Sequence, residues 1–137
     1  MENYHSATFL FQLTALGTAG PTLTVNSGAS NAACTSPMYF NYAFGGAAIG
    51  TAVAKSVSAA SCDVLAAWTN AATLVVLHTY TTYMLVVEVE AASMDTANGE
   101  YFLTCKFVEG SSGSGTVSAF AILRPRYPEN RIFTCLA

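Results

Sequence analysis

Four of the chain's eight acidic residues, Glu88, Glu90, Asp95 and Glu100, fall within thirteen positions. Clustered carboxylates serve two common chemistries, acid/base hydrolysis and metal binding. Glu88 and Glu90 lie two apart, so on a strand both point to one face, about 7 Å from each other. Hydrolases of glycosidic bonds use carboxyl pairs about 5–10 Å apart. However, no second acidic strand and no aromatic sugar platform accompanies this pair in the sequence. The run VVEVE also sends Val87 and Val89 to the opposite face, toward a core. The glutamates then form a polar face toward solvent or a partner. A calcium loop needs D-x-[DN]-x-[DN]-G, and Asp95 is followed by Thr96, Ala97, Asn98 and Gly99, which fails the pattern. Ser93 or Asp95 instead suits the cap of one helical turn. Asn98-Gly99 suits a positive-φ turn, and Glu100 opens the next strand.

The other reactive side chains are dispersed. A triad can be drawn from His5 or His78, Asp63 or Asp95 and a serine, but no G-x-S-x-G elbow is present. Both histidines read as structural, His78 within an apolar strand. The segment EGSSGSGTV lacks the G-K-[ST] ending of a phosphate loop and joins two strands, as a hairpin loop would. Cys34, Cys62, Cys105 and Cys135 form no C-x-x-C pair, which argues against zinc and for free thiols. Cys105 reads as a small buried hydrophobe. No cofactor motif is found, and no cofactor is expected. Arg124 and Arg126, split by Pro125, read either as a solvated strand end or as donors of an intersubunit salt bridge to Glu88, Glu90 or another acid.

Composition narrows the classes further. Charged residues make up 9% of the 137 and hydrophobic residues 53%, against a usual charged share of about 25%. A surface so poor in charge fits one covered by partners or by copies of the same chain. The net charge is −3 and the five basic residues form no stripe, so nucleic acid is not an expected partner. No apolar run approaches the ~20 residues of a membrane span. The start MENYHSATFLFQL has no basic region before its apolar run, so no signal peptide is expected.

The elements that must carry these residues are short and β-prone. Ser6–Leu13, Thr22–Val25, Pro37–Phe44, Leu74–Tyr80, Tyr83–Glu90, Glu100–Val108 and Thr116–Leu123 read as strands, with Ala52–Val57 as a short edge strand. Asn26–Ser36 reads as a small-residue loop and Thr81-Thr82 as a tight link. Cys62–Trp68 fits a helical turn or a strand. Eight to nine short antiparallel strands at this spacing predict a single-domain, all-β sandwich of jelly-roll-like type. The domain is expected over residues 1–127. The tail, 128–137, carries Ile132 and Phe133 and is expected to pack on the domain or on a neighbour.

Three segments carry a resemblance. NYHSATFLFQLTALG runs straight into the first strand. YMLVVEVEAASMDTANGEYFLTCKF is a strand, a one-turn link and a strand, and AFAILRPRYP closes the last strand. This layout resembles the small β-sandwich head-decoration (cement) and minor capsid proteins of tailed bacteriophages. The resemblance implies a non-enzymatic protein made in the bacterial cytoplasm and carried on the capsid exterior. Its partners would be the major capsid protein and copies of itself, as dimers or trimers, with neither nucleic acid nor membrane. Tyr4, His5, Glu88, Glu90, Arg124, Arg126, Ile132 and Phe133 are the expected interface residues. Other readings are a tail, fibre or shell subunit, or a glycan- or receptor-binding sandwich using Tyr39, Tyr42, Trp68, Tyr80 and Tyr83. A small β-fold hydrolase built on Glu88 and Glu90 is a further alternative.

Overall fold

Alternating burial sets the first strand. In β1 (Tyr4–Ala15), Ala7, Phe11 and Leu13 are buried, while Gln12 and Thr14 face solvent. β2 (Thr22–Gly28) and β3 (Cys34–Met38) alternate likewise, while β4 (Phe40–Phe44) and β7 (Met84–Glu90) also bury neighbours on both faces, at Ala43–Phe44 and Leu85–Val87. β5 (Thr69–Ala71) and β6 (Thr73–Val75) are short, and β8 (Phe102–Val108) and β9 (Thr116–Pro125) complete nine strands among the described residues. The computed structural model describes residues 3–45, 65–109 and 115–126. The expected edge strand at 52–57 and the tail with Ile132 and Phe133 lie outside the described residues.

The strands form two antiparallel sheets, so the chain is an all-β sandwich. One sheet runs β5-β4-β7-β1-β9. In the other, β2 is central. β8 pairs along its whole length, and β6 and β3 share its other side. The facing sides supply the core: Phe11, Leu13, Leu85, Val87 and Val89 from the first sheet meet Leu23, Val25, Met38 and Leu74 from the second. Phe11 of β1 and Phe107 of β8 meet edge to face at 5.0 Å across the two layers. This strand order does not by itself assign the jelly-roll connectivity.

Four local expectations are corrected. PMYFNYAF is two strands rather than one. Met38 is buried in the second sheet and Phe40 in the first, and the exposed Tyr39 is the corner between them. Alternation persists through a corner that switches sheets, so periodicity cannot reveal it. LVVLHTY stops being a strand at Val75. A 3-10 turn spans His78–Tyr80, so His78 is exposed in a turn and not set in an apolar strand. There Tyr80 stacks on Phe44 with ring centroids 3.8 Å apart. Finally, β8 and β9 do not form a hairpin: β8 pairs β2, and β9 pairs β1. Val108 and Thr116 therefore belong to different sheets. In addition, Asn26–Gly28 extends β2, and Cys34–Ser36 begins β3, which shortens the expected loop on both sides.

The Thr81-Thr82 link leading toward β7 is strained. Thr82 has φ of 69° and is the one non-glycine residue at positive φ among the described residues. A β-branched side chain there costs roughly 1–2 kcal/mol. Thr82→Gly is expected to raise stability by up to about 1 kcal/mol, the strain relieved less the added backbone freedom of glycine. Chemical denaturation would register it as a higher midpoint at unchanged slope.

Candidate functional site

Strand register decides which polar residues meet. Ser6 in β1 faces Glu90 of β7 on one side and Arg124 of β9 on the other. Cross-strand partners share a sheet face. Glu90, Ser6 and Arg124 therefore form one row on the outward side, with Glu90 and Arg124 two strands apart, roughly 10 Å. The next row holds Asn70, Asn41, Glu88, Thr8 and Ile122. In it the Asn70 side-chain amide donates to Asn41 Oδ1 at 2.8 Å. Glu88 and Glu90 are exposed while Val87 and Val89 are buried, as the alternation of VVEVE requires. Among the described residues neither glutamate nor either arginine makes an ion pair. The cluster is a polar face without internal neutralisation.

At the same end of the sandwich, Tyr4 faces Pro125, and a register shift between Tyr4 and Ser6 falls at His5. His5, Arg124, Pro125 and Arg126 line a shallow hollow of about 500 Å³. Arg126 also walls a second hollow of about 360 Å³ with Ala91, Met94, Thr96, Ala97, Glu100 and Tyr101. Its backbone N–H donates to the Asn3 carbonyl at 2.9 Å, which holds this chain end against the start of β1. Thus Tyr4, His5, Glu90, Arg124 and Arg126 are brought together, Glu88 lies one row along, and Ile132 and Phe133 are outside the described residues.

The link after β7 forms as its residues dictate. Asp95 caps the turn Thr96–Asn98, accepting from the Asn98 backbone N–H at 3.2 Å and its side-chain amide at 2.6 Å. Gly99 then takes φ of 74°, a left-handed position that suits glycine. Glu100 does more than open the next strand. Its two carboxylate oxygens accept from Ser27 of β2, at 2.5 Å, and from Ser36 of β3. Ser27 is 1% exposed and continues the inward row of Leu23 and Val25. Glu100 therefore satisfies a buried hydroxyl at the end of the core and fixes the link to two strands of the second sheet.

Comparison with protein-family models, with curated proteins and with solved structures returns no match. The surface itself must therefore carry the functional argument.

Four further placements bear on chemistry. Of the aromatics considered for a glycan, Tyr42, Tyr80 and Tyr83 form one cluster with Phe44, and Tyr39 and Trp68 stand apart. Tyr80 stacks on Phe44, Tyr42 lies edge-on to Phe44, and Tyr83 packs edge-on to Tyr80. The exposed Tyr39 and Trp68 sit at opposite ends of the β4–β5 ladder. No group of three metal-ligating side chains occurs among the described residues. Cys34 and Cys105 carry free thiols, while Cys62 and Cys135 lie outside the described residues.

Cys105 pairs with Val25 on the core side, and burial pushes its thiol from 9.0 up to about 12. A raised acid pKa means that the folded state holds the proton longer than the unfolded chain. Its contribution is complete below pH 9 and is lost as pH rises toward about 12. Wild type is expected to lose stability faster than Cys105→Ala across that range, measured as the difference between their denaturation midpoints. Parallel pH profiles would show that Cys105 is not the titrating group.

The exposure of β9 is a further feature that the sequence does not reveal. Every residue from Ser118 to Arg126 is exposed, with Phe120 at 70%, Ile122 at 57% and Leu123 at 43%. The only hint in the sequence is that AFAIL lacks the polar alternation expected of a strand with one solvated side.

Proposed function

We propose that the chain is a non-enzymatic virion structural protein, a capsid decoration or cement protein of a tailed bacteriophage. In this reading it sits on the capsid exterior and binds the major capsid protein and copies of itself. A jelly-roll-like connectivity of the strands belongs to the same reading. The observation that supports it most is β9, a ten-residue strand at the edge of the first sheet with apolar side chains exposed on both faces. Soluble proteins ordinarily blunt such an edge with charge, proline or a short strand. A permanent apolar edge suits a protein whose working state is an assembly. The neighbouring row of Glu90, Ser6 and Arg124 adds polar groups that would set orientation at a contact. Many weak contacts of this kind become secure when repeated over a symmetric shell.

The test is a quantified protein inventory of purified particles with a reconstruction of the head. The expected result is the chain at many copies per particle, at fixed positions on the outer shell. A chain found in the tail or fibre would transfer the assignment to that component. Its absence from particles would end the virion reading.

A further inference from the structure

We propose that β9 pairs antiparallel with β9 of a second copy across a two-fold axis, joining two five-stranded sheets into one ten-stranded sheet. The inference rests on the assembly reading above and names the partner of that edge. Among the described residues β9 is hydrogen-bonded to β1 alone, so its outer backbone groups have no strand partner there.

The other edges differ in ways that matter. β5 at the far side of the first sheet has three residues, Thr69, Asn70 and Ala71. β8 alternates exposed and half-buried residues and carries Lys106 on its exposed side. These are recognised defences against edge pairing. β9 has none before Arg124: Thr116 to Leu123 contains no charge and no proline.

Charge favours a copy of the same strand, and favours it antiparallel. Parallel in-register pairing would set Arg124 against Arg124. An antiparallel pair centred anywhere from Phe120 to Ile122 instead separates the two Arg124 positions by roughly 14–27 Å along the strands. Each arginine then lies opposite an uncharged residue of the other copy, between Thr116 and Phe120. A two-fold axis normal to the sheet preserves its faces, so a pair centred on Ala121 sets Phe120 of one copy opposite Ile122 of the other. Ala119, Ala121 and Leu123 meet their counterparts on the opposite face. An isologous contact of this kind closes at two copies and does not propagate.

Magnitude fixes how the dimer behaves. A ten-residue strand is ~34 Å long and a sheet is ~10 Å deep, so the strip covers roughly 350 Å² per copy. The total, about 700 Å², falls below the 1,200–2,000 Å² of stable complexes. The dimer is therefore reversible in solution and is completed where copies are concentrated on a surface.

Sedimentation velocity of the full-length chain over a wide concentration range tests this without any shell present. A monomer–dimer equilibrium is expected. The double variant Phe120→Lys, Ile122→Lys should weaken it by ~100-fold or more, through like charges set opposite each other. Its circular dichroism and thermal midpoint should match wild type. Thr104→Lys on β8 should leave the equilibrium unchanged. Amide exchange in wild type should slow at alternate β9 positions as concentration rises. A chain that stays monomeric at every concentration overturns self-pairing. So does loss of the dimer in Thr104→Lys with retention in the double variant. Protection of β9 that is independent of concentration would mean that another part of the same chain covers the edge, and also overturns it. None of these outcomes bears on whether particles contain the protein, which the particle inventory decides separately.

Discussion

Phe11→Ala is expected to be the most damaging single substitution among the described residues, with a loss of ~3–5 kcal/mol and a fall in melting temperature of roughly 10–20 °C. Phe11 is buried and stands opposite Leu85 in β7 and Ala119 in β9. Its ring meets Phe107 edge to face at 5.0 Å and stacks beside Phe9 at 6.1 Å. Truncation removes apolar burial, an aromatic pair worth about 0.5–1.5 kcal/mol and much of the direct contact between the layers. β8 is an edge strand and cannot slide inward to fill the gap without breaking its ladder to β2. Phe11→Leu should restore much of the loss, because volume matters more here than aromaticity. The measurement is equilibrium denaturation of the three proteins. A Phe11→Ala midpoint close to wild type would mean that the two sheets are not held together at this point.

The second large effect concerns Glu100. Removing its carboxylate in Glu100→Ala leaves the buried Ser27 hydroxyl without its acceptor, at a cost of ~1–3 kcal/mol. Ser36 loses its partner at the same time. Ser27→Ala removes the buried hydroxyl that requires an acceptor. The double substitution should therefore cost less than the two single changes added, with a coupling of about 0.5–3 kcal/mol. Additive losses would show that the carboxylate and the hydroxyl act separately. Glu100→Asp, one methylene shorter, should fail to reach both serines and resemble the alanine variant.

Residue pattern and position divide what sequence could and could not reveal. The strand class was legible because VVEVE and SATFLFQL carry their burial in their alternation. The Asp95 cap and the Gly99 turn were legible because both depend on chemistry within four residues. The Tyr39 corner was not, since alternation is the same whether a strand continues or changes sheets. The Glu100 latch was hidden for another reason: its serines lie 73 and 64 residues away. Spacing within a segment carries no trace of such a contact. The meeting of Glu90 with Ser6 and Arg124 likewise depends on register between distant strands. Sequence marks these residues as a polar face and a basic pair, but their common row follows only from the order β7-β1-β9.

The place of β1 has a consequence for how the protein is made. It comes first in chain order among the described strands, yet it lies between β7 and β9, two of the last three of them. A ribosome therefore releases SATFLFQL long before either neighbour exists. The ladder to β7 must wait for Glu90 to emerge, and the ladder to β9 for Pro125. Non-local pairings of this kind make folding slow and leave nascent apolar strands vulnerable to each other. The cell must hold the growing chain soluble with almost no charge of its own to help. Synthesis rate and chaperone supply, more than the final stability of the sandwich, are thus expected to govern the yield of folded protein.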